Sequence, residues 1–321
     1  MTRHRAALIL AAALAASAAH AGVYPSKPIR FVVAFPPGGG TDIIARSIAQ
    51  KLAERLAQQV LVDNRPGAGG NIGTDIVAKS APDGYTLLMG SAGPLAINAS
   101  LFAAMPFDPV RDLAPVTLAA STPNVLVVQP SLKATTVTEL ISLAKAHPGE
   151  INFASSGHGT PAHLAGELFN SMAGVKLVHV PYKGATPALA DLLGGQVQLM
   201  FSTMPPALPH VKDGKLRALA VTSAKRSPAT PDLPTVDEAA LPGFEANTWH
   251  GVVVPAGTPA SIVAKLNREI VAILHLPEIV ERLSSQGAEP VGSTPEEFAA
   301  YIRSETTKWA KVVRESGARA E

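Results

Sequence analysis

The sequence predicts an α/β protein of two lobes, each built on a mixed, mostly parallel sheet with flanking helices. Three observations carry this. Apolar β-like runs alternate with helix-period segments through most of the 321 residues, the order that gives parallel strands joined by crossover helices. The runs fall into two series that part near Pro123, and one late strand near Trp249 returns after the second series ends. Finally, Phe35-Pro-Pro-Gly-Gly-Gly-Thr-Asp42 and Ala154-Ser-Ser-Gly-His-Gly-Thr-Pro161 look alike, each after a strand and before a helix, one in each series. Residues 22–123 with 248–321 are expected to form one lobe and 124–247 the other. The chain then crosses twice, near Pro123 and near Asn247, and such a protein opens and shuts as a hinge.

Ile29 to Phe35 is the first strand, an apolar run of the kind buried on both faces. Ile44, Ile48, Leu52 and Leu56 then recur at four-residue spacing, one stripe of a helix laid on that sheet. Val60 to Asp63 and Thr86 to Met89 are the next strands, with a helix over Asn71 to Ser80 between them. The second series runs Val125 to Gln129, Ile151 to Ala154, Leu177 to Val180, Val197 to Phe201 and Leu216 to Thr222. Helices over Thr138 to Ala146, Pro161 to Met172 and Pro187 to Leu193 separate its strands. Ala224 to Pro242 is rich in proline and charge and reads as loop, and Trp249 to Val254 as the returning strand, with Trp249 in the core. Thr258-Pro259 and Thr294-Pro295 place a cap and a proline at helix starts, and Thr294 with Glu297 makes a capping box. These last helices have no strands of their own and are expected to pack back on the first lobe.

The N-terminus carries Arg3, His4 and Arg5, then the apolar run Ala6 to Ala19, then the small-x-small site Ala19-His20-Ala21. This reads as a cleavable export signal, so the mature chain is expected to be periplasmic and to start near Gly22. No later segment reaches the roughly 20 uninterrupted apolar residues of a membrane span. Of the 27 Lys and Arg, the leader takes two and none of the 25 Asp and Glu, leaving 25 of each sign. A neutral chain without a basic stripe has no electrostatic footprint for nucleic acid. With no cysteine there is no disulfide, thiolate nucleophile or cysteine metal site. A monomer is expected.

Each look-alike loop points free amides and the positive end of a helix dipole at what lies in front of it. Together they would clamp an anion. Phe35 opens the first loop and Gly39, Gly40, Thr41 and Asp42 close it; the second offers Ser155, Ser156, Gly159, Thr160 and His163. Thr160 is expected as N-cap with Pro161 at the first helical position, leaving the amides of Ala162 and His163 free, and Thr41 is given the matching part. Asp42 would cap amides or favour the dipole while turned from the ligand. Bulk at Gly40 or Gly159 is expected to remove binding without unfolding the chain. Tyr182 and Lys183 sit at the end of the second sheet, where clefts form, the lysine offering a charge or only a solvated rim. Ser202 and Thr203 offer hydroxyls at the same edge.

Other chemistries fit less well. Gly67-x-Gly69 lacks the third glycine of a dinucleotide loop, since position 72 is Ile72, and there is no phosphate-loop Gly-Lys-Ser/Thr. His163 and Glu167 share a helix face near His158, but no third ligand stands at a recognised spacing, so neither metal nor cofactor is expected. Ser156 with His158 would be the pair of a secreted hydrolase, yet neither Ser155 nor Ser156 lies in Gly-x-Ser-x-Gly.

The segments Pro28-Ile-Arg-Phe-Val-Val-Ala-Phe-Pro-Pro-Gly-Gly-Gly-Thr-Asp42, Asn64-Arg-Pro-Gly-Ala-Gly-Gly-Asn71, Pro82-Asp-Gly-Tyr-Thr-Leu87, Val180-Pro-Tyr-Lys-Gly184 and Pro255-Ala-Gly-Thr-Pro259 together resemble the Bug or TctC family. These are periplasmic solute-binding proteins of tripartite tricarboxylate transporters, and the resemblance spans essentially the whole mature chain. It implies a two-lobed, periplasmic-binding-protein-like fold of type II that takes a small organic carboxylate to a two-component membrane permease, without catalysis. It further implies that one carboxylate sits between the loops, partly through ordered waters, held by Gly39, Gly40, Thr41, Asp42, Ser155, Ser156, Gly159, Thr160 and His163. Where the family often has an acidic residue after the strand ending at Phe201, this chain has Ser202, which favours a plain carboxylate over an amino acid. The same capture would serve a sensor that signals to a membrane receptor, and the sequence leaves transport and sensing both open.

Overall fold

Alternate residues of β1 (Ile29–Val33) enter two different cores: Ile29, Phe31 and Val33 one, Val32 and the following Ala34 the other, all fully buried. A strand covered on both faces needs helices on both. The structure is a computed structural model that describes residues 24–320. The expected export signal lies outside them.

From β1 the chain passes through the first glycine loop into α1 (Gly40–Leu56), then β2 (Val60–Asn64), α2 (Asn71–Ala78) and β3 (Thr86–Ser91). β1 pairs in parallel with both β2 and β3. A wide helical turn at Gly93–Ile97 and the single turn α3 (Asn98–Leu101) lead to β4 (Leu113–Val128). The second series follows as α4 (Val137–Ala146), β5 (Asn152–Ser155), α5 (Pro161–Ala173), β6 (Val178–Pro181), α6 (Ala185–Leu193), β7 (Leu199–Thr203), α7 (Met204–Lys212), β8 (Arg217–Val221) and the turn α8 (Val236–Ala239). The returning strand β9 (Asn247–Pro255) then gives way to α9 (Ala260–Leu274), α10 (Pro277–Ser284), the two-residue β10 (Glu289–Pro290) and α11 (Pro295–Ser316).

The strand path is β2-β1-β3-β9-β4-β7-β5-β6, with β8 and β10 also on β4. The outer ladders β2-β1-β3 and β6-β5-β7 are parallel; every antiparallel ladder involves β4 or β9. β4 makes this possible through its 16 residues. Leu113 to Pro123 pair with β9 in the first sheet, and Asn124 to Val128 pair with β7 and β8 in the second. β4 thus passes from the first set of partners to the second between Pro123 and Asn124, and Pro123 is the register partner of Asn247, the first residue of β9.

The expected strand at Val125 is therefore the end of a longer one. Pro115, Thr117 and Thr122 break up its apolar pattern, and antiparallel pairing to β9 supplies the order that pattern does not. α7 was not expected because it carries Pro205, Pro206 and Pro209. The first two lie in its first turn, where no amide is needed. The segment Ala224–Pro242 holds α8, closed by a Thr235–Glu238 capping box, rather than loop alone. Thr294 caps α11 as expected, but α9 starts one residue late: Pro259 takes the cap position and the Thr258 hydroxyl donates to Pro255 O at 2.7 Å.

α9 and α10 do pack on the first sheet, Leu266, Ile270 and Ile273 joining Ile44, Ile48 and Leu52 of α1. α11 departs from expectation. Its Phe298, Ile302, Trp309 and Val313 share a core with residues of both series, including Phe153, Phe169 and Phe201, and it touches α5. Trp249 is 1 % exposed, and its indole and that of Trp309 both donate to Glu305 Oε2 at 2.9 Å.

Candidate functional site

Both glycine loops end at helix N-termini that meet across one cleft. At the first, Gly39 is the N-cap of α1 and supplies no side chain, so the opening amides of Gly40, Thr41 and Asp42 have no intrahelical acceptor. Thr41 therefore lies inside the helix rather than at its cap, with Oγ1 3.4 Å from His250 Nδ1. Asp42 is turned away. Its carboxylate accepts from Gly38 N at 2.9 Å, from Arg46 Nε and from Asn64 Nδ2. Burial pushes the Asp42 carboxyl up, but the hydrogen bonds from Arg46, Gly38 and Asn64 outweigh it and hold it below the ordinary carboxylate value.

At the second loop Thr160 is the N-cap of α5, as expected, and Pro161 the first helical residue. The Thr160 hydroxyl donates to Gly157 O at 2.8 Å and accepts from His163 N at 3.4 Å, so the His163 amide is not free. Behind this loop stand three imidazoles. His163 stacks on His179 with centroids 3.9 Å apart at 15°, and His158 meets both edge-on. Burial pushes His163 down to about 4 and, helped by the neighbouring rings, His179 down to about 2, so both are neutral at pH 7.

Two adjoining cavities occupy the cleft. The inner one, about 40 Å³, lies between Gly39, Gly40 and Thr41 on one side and Ser156, Thr160 and Ala162 on the other. Its remaining wall includes Ser91, Asn124, Thr203, Thr248 and His250, and among the described residues no lysine or arginine lines it. The outer one, about 230 Å³, is lined by Gly67 to Gly70, Phe102, His158, Tyr182 and Lys183. Phe35 and Ser156 belong to both.

Of the residues singled out in the sequence, Phe35, Gly39, Gly40, Thr41, Ser156 and Thr160 thus line the inner cavity, and Tyr182 and Lys183 the outer. The Tyr182 hydroxyl is already donated to Asp191 at 2.8 Å, and its pKa is pushed up to about 12 by burial and that carboxylate. Asp42, Ser155, Gly159, His163 and Ser202 line neither cavity. Each has a partner inside the protein instead. Ser155 Oγ bonds the Gly157 backbone and His179 Nε2, Gly159 N donates to His163 Nδ1 at 3.3 Å, and Ser202 Oγ donates to Thr203 O. Thr203, noted in the sequence for a hydroxyl at this sheet edge, lines the inner cavity where its neighbour Ser202 does not, and Ser91, Asn124, Thr248 and His250 were not singled out as binding residues. The available signal was a polar side chain within or at the end of an otherwise apolar strand, His250 above all.

Two arrangements resemble reactive centres. Ser155 Oγ and His179 Nε2 are 2.6 Å apart, the spacing of a nucleophile and base, but Ser155 is fully buried and its hydroxyl secures the loop. The nitrogens of His158, His163 and His179 lie within 4.8 Å of one another, with His179 where the sequence suggested Glu167. Because His163 and His179 stack nearly parallel, their in-plane lone pairs do not converge on one point, so as arranged they are poor ligands for a single ion.

The lobes touch across the cleft. Thr186 Oγ1 donates to Pro37 O at 2.9 Å, and a Cβ on Gly40 would come within 2.9 Å of Thr203 Oγ1. A family model for TctC, the tripartite tricarboxylate transporter family receptor, matches residues 44–318. The chain belongs to this family. Among its relatives is protein BugT of Bordetella pertussis, 45 % identical over 313 residues, covering 97 % of this chain and 96 % of BugT. The solved structure of R. palustris Rpa4515 with adipate superposes on this TctC protein with a TM-score of 0.91 at 40 % identity, covering 92 % of this chain and 99 % of the other. MatC from Rhodopseudomonas palustris with bound malate gives a TM-score of 0.86 at 34 % identity, over 90 % and 100 % of the two chains. Among the described residues of the TctC chain no helix is long and apolar enough to cross a membrane.

Proposed function

We propose that this TctC-family protein is a periplasmic receptor that closes its two lobes on a small organic carboxylate and hands it to a two-component membrane permease, without chemical conversion of the ligand. In this reading the leader is removed near Ala21, residues 22–123 with 248–321 form one lobe and 124–247 the other, and the monomer is the working unit. The observation that carries it is the inner cavity: two helix N-termini and a set of hydroxyls surround it, and among the described residues no lysine or arginine lines it. Such a wall attracts an anion through amides and dipoles that need no reorganisation, each helix end contributing about 0.3–1 kcal/mol. It also omits the fixed counter-charge that would slow release to a permease. The adipate and malate in the solved relatives are the matching chemistry.

A thermal-shift screen of mono-, di- and tricarboxylates tests this reading. A ligand at a hundred times its Kd adds about 2.7 kcal/mol and raises the melting temperature by several degrees. A well-folded protein that none of the carboxylates stabilises would contradict it.

A further inference from the structure

Two polar atoms in side chains lining the inner cavity are buried without a partner: Ser91 Oγ and His250 Nε2. Their residues are 2 % and 1 % exposed. They are register partners on β3 and β9, so both side chains stand on the same face of the sheet, side by side. A buried polar group without a partner is rare, and two adjacent ones at a cavity call for something that enters it. The His250 ring is fixed beside the N-terminus of α1, with Nδ1 facing Thr41 Oγ1 at 3.4 Å. If the threonine hydroxyl donates to Nδ1, the ring proton sits on Nε2, and imidazole N–H and serine O–H are both available as donors beside the α1 amides.

We propose that Ser91 and His250 are ligand-contact residues, their Oγ and Nε2 binding the carboxylate drawn by the α1 amides, directly or through one ordered water. This rests on the carboxylate reading above and extends it to residues on the strands beneath the loops. Among the described residues, His250 is the only titratable side chain lining the inner cavity. The titratable groups on the elements packed against β9 have partners of their own: Asp42 of α1 pairs with Arg46, Asp75 of α2 with Lys79, His163 of α5 stacks on His179 with Glu167 3.7 Å from its Nε2, and Glu305 of α11 holds the two indoles and Lys308; β4 places Ala120 opposite the histidine. Burial pushes His250 down to about 4, so it is neutral while the cavity is empty. An arriving carboxylate favours the imidazolium and raises that value. Where the raised value approaches the working pH, binding takes up a proton at His250, and affinity for the ionised ligand rises as pH falls from neutral toward 5.5.

Titration calorimetry with adipate, run at pH 7.5 and 5.5 in buffers of different ionisation heat, reads both contact and proton. The wild type is expected to bind more tightly at pH 5.5 with proton uptake. His250→Phe, similar in shape, should lose about tenfold or more in affinity and all uptake, and Ser91→Ala a severalfold smaller amount. His250→Gln should retain most affinity, since its amide still donates, but show no uptake. A folded His250→Phe that binds as the wild type does overturns the contact. If that variant does not fold, unchanged affinity in Ser91→Ala together with undiminished proton uptake in His250→Gln overturns it. A wild type that binds adipate without proton uptake overturns the protonation, and one that binds no carboxylate at all overturns the reading beneath it.

Discussion

The loop ending at Asp42 and the loop ending at Thr160 share a sequence pattern, yet the helix after the first starts without a side-chain cap and the helix after the second starts with one. In the first, Asp42 reaches back to Gly38 and is neutralised by Arg46, which leaves the amides of Gly40 and Thr41 for a ligand. In the second, the Thr160 hydroxyl takes up the His163 amide and ties it to Gly157, with three histidines packed behind. Two glycine loops facing one cavity thus divide the labour unequally: the first leaves all its opening amides uncapped, and the second, its His163 amide taken by Thr160, keeps only the Ala162 amide at the cavity.

Alanine scanning of the glycines separates the two most sharply. Gly159 has φ +74°, and a Cβ there would run into Asn98 Oδ1, so Gly159→Ala should destabilise the fold by about 3 kcal/mol or more. Gly40→Ala meets only the end of the Thr203 side chain from the other lobe. It should melt close to the wild type while binding weakly, because the new methyl props the cleft open. The sequence expectation that bulk at either position affects binding alone is thus narrowed to Gly40, with Gly159→Ala expected to cost the fold as well. Equal melting temperatures for the two variants would erase the distinction.

Acid should act next, and first on the second loop. His163 is near 6.5 in the unfolded chain and held at about 4 when folded, so its contribution is complete above pH 6.5 and is lost as pH falls toward 4. That loss is on the order of 3 kcal/mol for this group. His179 adds to it in the same direction. Amide hydrogen exchange at pH 5 should show protection falling at Gly157, Gly159 and Thr160 before it falls at Gly38 and Ile43, whose amides are bonded to Asp42 and to Gly39 O; the reverse order would assign the acid sensitivity elsewhere.

The paired threonines give a smaller contrast. Thr160→Ala removes a cap and should cost about 1 kcal/mol of stability. Thr41→Ala removes no cap, so chemical denaturation should find it within about 0.5 kcal/mol of the wild type, while its ligand affinity drops. The smallest effect is expected for Thr186→Ala, which deletes one exposed hydrogen bond across the cleft to Pro37 O. Its affinity should fall by no more than about tenfold, with melting of the empty protein unchanged.

The strands that carry continuous apolar runs were legible, β1 most of all, because burial on both faces leaves a nearly uninterrupted apolar run in sequence. The first part of β4 and α7 were not, because their order comes from pairing to β9 and from the harmless placement of prolines in a first turn. The loops of the site were legible through glycine and threonine chemistry. Which member of each loop faces the ligand was not, since Asp42, Ser155 and His163 find partners that lie elsewhere in the chain: Arg46 and Asn64, His179, and the stacked ring. Ser91 and His250 escaped notice because register between β3 and β9, not sequence spacing, brings them together.

On this geometry the carboxylate is held at the open N-terminus of α1. A crystal structure of the adipate complex tests it most directly. One carboxylate should lie in the inner cavity within about 3 Å of the Gly40 or Thr41 amide nitrogen, or one water removed from it. Adipate bound with both carboxylates outside that cavity, held by Lys183 at the rim, would contradict the account.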